Sequence, residues 1–147
     1  MISNSRGLNF GNIVPLTGGT VSIEAKEPGV RSASPGGVTL VPGLTSSAEF
    51  EVEGDGGSTY AITRTPLVGT LLTLTNIAPG AETMDVDIVV STITDDGVES
   101  TTGLLSGSTG TNGTQKIYVG GTLTVANAQA SGIYRNAAGI VISVDYN

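Results

Sequence analysis

The chain has 147 residues, 22 of them Gly, with no Cys, His or Trp, and 13 Asp plus Glu against six Lys plus Arg, a net charge of −7. Without His there is no imidazole base and no Ser-His-Asp triad, and without Cys there is no thiolate nucleophile, disulfide or thiolate-held metal. Glycine at about twice its usual frequency, with abundant Thr and Ser, disfavours helix, and the scattered cations form no basic patch for nucleic acid.

Read in chain order for apolar alternation, the sequence predicts one all-β domain over 1–147, opened by a short stub at residues 1–7. Strands are expected at Leu8 to Val14, at Thr20 to Ala25 through Val21 and Ile23, and at Gly37 to Val41 through Val38 and Leu40. In SAEFEVE, Ala48, Phe50 and Val52 face a core while Glu49, Glu51 and Glu53 face water. Asp55-Gly56-Gly57 reads as a turn into Ser58 to Arg64, where Tyr60 and Ile62 face inward. Thr70 to Thr75 follows, then MDVDIVV, with Met84, Val86, Ile88 and Val90 on one face and Asp85 and Asp87 on the other. Asp95-Asp96-Gly97 reads as a hairpin loop, and Gly103 to Gly113 as a long exposed loop or mobile hairpin with a turn at Asn112-Gly113. Gln115 to Val119 and Thr122 to Ala126 read as two strands, and Ile140, Ile142, Val144 and Tyr146 form the inward face of the last. Nine or ten such strands, each burying one face, are satisfied together by two stacked sheets, an immunoglobulin-like or pilin-like β-sandwich.

No residue pattern nominates a catalytic, cofactor-binding or metal-binding set. Glu53 to Gly57 and Asp95 to Gly97 place carboxylates in Gly-rich loops where Ca²⁺ could bind, but neither has EF-hand spacing, and solvated turns are the simpler reading. A carboxylate glycosidase usually stacks sugars on aromatic rings, which are scarce here. The Gly-rich stretches GTNGT and VGGTLTV do not open a helix carrying Lys, so they are not phosphate loops, and Asn112-Gly113-Thr114, which fits the N-glycosylation pattern, is more simply a turn. Lys116 and Arg135 read as isolated solvated cations, and Tyr118, Tyr134 and Tyr146 as core or rim anchors. The expectation is therefore a protein that is not an enzyme. There is no apolar run of about 18 residues and no basic segment followed by an apolar one at Met1, so neither membrane insertion nor an export signal is expected within this chain.

The segments LNFGNIVP, GGTVSI, GGVTL, AEFEVEG, STYAIT, YVGGTLTVANAQASGIY and VISVDYN, in that order, resemble a family of secreted pilin-like proteins of Gram-negative bacteria catalogued as a domain of unknown function, similar in pattern to chaperone–usher pilus subunits. The resemblance implies a sandwich lacking one strand. Its hydrophobic groove would be filled first by a periplasmic chaperone and then by an extension of a neighbouring subunit, giving an extracellular homopolymer. It further implies that Ile140, Ile142, Val144 and Tyr146 flank the groove, with Leu8 and Phe10 on its other side. Ahead of the LxFG segment stands only MISNSRG, whose single strong hydrophobe after Met1 is Ile2, too little for a full donor strand. Two alternatives follow: a mature subunit trimmed there, or a chain that closes its own sheet. A different class of function, a monomeric surface adhesin, would place a ligand site, Ca²⁺-dependent or not, on the loops Gly54 to Ser58, Thr94 to Glu99 and Gly103 to Gly113.

Overall fold

The computed structural model describes residues 1–147 and is all-β, without a helix. In chain order the strands are β1 (Ile2–Arg6), β2 (Ile13–Pro15), β3 (Gly19–Ile23), β4 (Arg31–Ala33), β5 (Val38–Leu40), β6 (Ala48–Asp55), β7 (Thr59–Thr65), β8 (Leu72–Asn76), β9 (Thr83–Thr92), β10 (Thr102–Leu104), β11 (Asn112–Val125), β12 (Tyr134–Arg135) and β13 (Val141–Tyr146). All pairings are antiparallel. The larger sheet runs β1-β6-β11-β9-β8-β12, with β3 added to β11 and β4 to β3. Two separate pieces, β10-β7-β13 and β2-β5, make the remaining sheets.

The alternation read from the sequence is the alternation observed. Met84, Val86, Ile88 and Val90 are all buried, as are Ala48, Phe50, Val52, Tyr60 and Ile62, in one apolar cluster to which Ile117, Val119 and Leu123 of β11 contribute. With each β-strand presenting alternate residues to opposite faces, one buried face per strand suffices to hold the sheets together.

Four expectations require correction. Residues 115–125 form one strand and not two, because Gly120 and Gly121 sit inside β11. The N-terminal part of β11 pairs with β6 and its C-terminal part with β3 along the same edge, while β9 occupies the other. Gly120 lies where the chain leaving β3 crosses it. A Cβ there would fall on the Ile23 carbonyl oxygen and within 2.5 Å of the Ala25 nitrogen.

Gly103 to Gly113 is an exposed loop only over residues 106–111. Thr102–Leu104 pairs with β7, Leu105 is buried, and Asn112-Gly113 opens β11 rather than turning. Third, the stub forms β1, an edge strand on β6. Finally, Leu8 to Val14 is extended only in part. Gly11 takes φ +71°, which an L side chain rarely adopts, leaving an isolated bridge at Asn9–Ser46 and the three-residue β2.

The core holds a buried polar pair between β7 and β11. The Tyr60 hydroxyl donates to Gln115 Oε1 at 2.7 Å, and the Leu104 N–H donates to the same oxygen at 2.8 Å. Burial, and secondarily the neighbouring Tyr146, pushes the Tyr60 phenol up to about 12. An unfolded tyrosine ionises near ~10, so between those values the unfolded chain binds fewer protons and stability falls as pH rises. The contribution is intact below that window. The urea midpoint should therefore drop between pH 10 and about 12, and Tyr60→Phe should flatten that limb; an unchanged slope in the variant would assign the alkaline loss to other groups.

Candidate functional site

A cleft of about 1280 Å³ opens beside the core. That exceeds the roughly 300–1000 Å³ of ordinary small-molecule pockets. Its floor is the inward face of the larger sheet, where Phe50, Met84, Val86, Leu123 and Leu74 meet from four neighbouring strands. Leu8, Phe10 and Ile13 line it from the segment leading into β2, and Gly139 and Ile140 from the segment leading into β13. At its rim Leu44 and Ile133 are 88% and 54% exposed, apolar surface that the fold itself leaves in water.

The wall at Leu8–Ile13 is fastened from behind. Asn9 exchanges two backbone hydrogen bonds with Ser46, and the Ser46 hydroxyl donates to the Gly7 carbonyl. The Arg31 guanidinium donates to the carbonyls of Phe10 at 2.9 Å, Asn12 at 3.2 Å and Val41 at 2.8 Å. At Gly11 a Cβ would approach Arg31 Nη1 within 2.9 Å, so the glycine of the FG pair makes room for the arginine that fixes the wall. Sequence reasoning passed over Arg31, since a lone cation far along the chain gives no local signal of three carbonyl partners.

β13 presents an unpaired edge, with β7 on one side and no strand on the other. In an antiparallel ladder alternate residues direct their N–H and C=O to the same partner. Ile62 donates its N–H to Thr101 on the β10 side, and Asn147 donates to Thr59. The Val144↔Ile62 register then turns the N–H and C=O of Ile142 and Val144 outward, to the open edge. Such an edge is a template for another strand.

Of the six residues expected to flank a groove, Leu8, Phe10 and Ile140 line the cleft. Ile142 instead points into the core at 6% exposure, and Val144 is half-buried against it. Tyr146 lies at the far end of β13, its hydroxyl donating to the Glu53 carbonyl at 2.6 Å and its ring 6.2 Å from Tyr60. None of these three lines the cleft.

The loops considered for an adhesive end are held by hydrogen bonds of their own. The Asp55 carboxylate accepts from the Gly110 N–H at 2.7 Å, tying the β6–β7 turn to the segment before β11. Hydrogen bonds from Ser100 and Thr92 hold the Asp95 carboxyl below the usual range. No group of three or more Asp or Glu gathers where a metal ion could sit. Lys116, expected to be free, pairs with Glu49 at 2.7 Å; that hydrogen bond raises the ammonium and lowers the carboxyl.

A family model described as a domain of unknown function (DUF4402) matches residues 1–146. No curated protein matches the chain, and no solved structure does.

Proposed function

Since the chain belongs to that family of domains of unknown function, its cleft is the feature to account for, and we propose that it is a structural subunit of an extracellular pilus- or fimbria-like filament. Neighbouring subunits join by β-strand complementation: an extended segment of one copy adds to the open edge of β13 and lays apolar side chains into the cleft of the next. The observation that carries this reading is that the segment leading into the unpaired edge strand β13, at Gly139 and Ile140, lines an apolar cleft too large for an ordinary small ligand. An exposed edge beside apolar surface is an aggregation hazard for a monomer, and a filament removes it by covering each copy with the next. During export the same surface would be covered by a periplasmic chaperone. The absence of His and Cys fits a component with no reaction to perform.

Two measurements test this. Protein purified from its native source should show filaments in electron micrographs. Separately, a capped peptide of about nine residues alternating Val and Thr, at about 100 times its Kd, should stabilise the isolated chain by about 2.7 kcal/mol, raising its Tm by roughly 5–11 °C. Monodisperse monomers in the micrographs together with no thermal shift would sink the proposal.

A further inference from the structure

The chain has no Cys, His or Trp, so the thioethers of its two methionines are its most readily oxidised side chains. They lie in opposite surroundings. Met1 is 74% exposed, whereas Met84 is 8% exposed and belongs to the floor of the cleft. It sits on the inward face of β9, opposite Leu74 in the β8–β9 ladder and one inward position from Val86. Leu123 and Val125 of β11 belong to the same floor. None of these side chains offers a hydrogen-bond donor. Two polar side chains that line the cleft have committed theirs: Gln129 Nε2 donates to the Thr83 carbonyl at 3.2 Å and to the Tyr134 hydroxyl at 2.9 Å, and that hydroxyl donates to the Ala130 carbonyl at 2.7 Å.

We propose that Met84 is an oxidation site that regulates occupancy of the cleft, its thioether admitting a strand and its sulfoxide refusing one. The inference rests on the reading of the cleft as a strand-binding site and adds a chemical control to it. The oxidant is a hydroperoxide. The sulfur lone pair attacks the terminal peroxide oxygen, and an S–O bond forms as the O–O bond breaks. The proton of the transferred hydroxyl passes to the departing oxygen, which leaves as water or an alcohol. Sulfur is thereby oxidised by two electrons and the peroxide reduced by two. In the empty cleft the new oxygen can reach water. Beneath an apolar strand it is an acceptor shut among Leu74, Val86 and Leu123 with no donor, and a buried polar group left unpaired carries its full desolvation cost. Cover acts in the other direction too: a strand lying over the floor separates the sulfur from the oxidant, so a filled cleft is protected and an empty one is not. A joined subunit stays joined under peroxide, while a free one loses its competence to join.

Dilute hydrogen peroxide, followed by peptide mapping for the mass gain of one oxygen, tests both halves. In the free chain both methionines should gain oxygen, Met1 the faster. With the capped Val/Thr peptide at saturation, which has nothing to oxidise, Met84 alone should be protected, and Met1 is the internal measure of the oxidant. The oxidised chain should keep its folded baseline, and calorimetry should show roughly 5- to 150-fold weaker peptide binding. Met84→Leu, a swap of nearly equal volume, should bind the peptide as the parent does and become indifferent to peroxide. Met84→Gln, neutral but polar, should bind weakly without any oxidant. Oxygen on Met1 only, equal oxidation of Met84 with and without peptide, undiminished binding by the chain oxidised at Met84, or unfolding on oxidation would each overturn the control while leaving the cleft as a strand site. Peptide bound by neither the unoxidised chain nor Met84→Leu would overturn both.

Discussion

Ile140→Asp should abolish capture of a strand peptide while lowering the melting temperature by only a few degrees. The side chain is half-buried on the cleft wall, in the turn before β13, where an aspartate can still reach water in the free subunit. In the occupied cleft the same carboxylate is covered by an apolar neighbour, and an unpaired buried charge costs several kcal/mol, enough to lose affinity by roughly 10²-fold or more. Ile142→Asp, two residues on, should behave oppositely. Ile142 is 6% exposed within the core cluster, so the aspartate is buried in every state, and about 3–5 kcal/mol of stability should go with it. Urea titration and peptide calorimetry on the two variants separate fold from site. If Ile140→Asp binds the peptide and enters filaments as the parent does, the cleft is not where subunits join.

That contrast also shows where sequence reading reaches its limit. Period-two alternation says which side chains of the last strand face inward, and Ile140, Ile142 and Val144 do lie on that side. It does not say whether the inward side is covered, because coverage is set by the segment at Leu8–Ile13 and by the floor strands, which are remote in sequence. The backbone edge of β13 is equally invisible to hydropathy: edge status follows from which strands pair, not from any residue type. Strands with polar outward faces, such as β6 and β9, are legible because Glu and Asp alternate with Val, Ile and Phe. β1 is not, since ISNSR has one strong hydrophobe and owes its strand state to the ladder it makes with β6. Lys116 illustrates the same limit from the polar side. Its sequence surroundings suggest a solvated surface charge, and only the pairing of β11 with β6 brings Glu49 to 2.7 Å from it.

Glycine is the residue whose meaning changes most between sequence and structure, and Gly120 gives the sharpest test of it. Read along the chain, the Gly120-Gly121 pair separates two strands; in space it is the one point of β11 over which the chain leaving β3 passes without room for a Cβ. Gly120→Val would drive atoms into the main chain of Ile23 and Ala25, neither of which can move without parting β3 from β11 or disturbing Ala25, itself buried. A loss of about 3–5 kcal/mol is expected, placing this among the most damaging single changes, with a fall in Tm of roughly 6–20 °C for a domain of this size. Gly7→Ala is the matched control, since a Cβ there meets nothing within 4 Å and its φ lies outside the left-handed region; its change should stay within about 0.5 kcal/mol. Urea denaturation of both, read at constant m, decides the matter. Were Gly120→Val to unfold at the parent midpoint, β3 would have to be able to peel from β11 at no cost, and the long central strand would not be the element that binds the two ends of the larger sheet together.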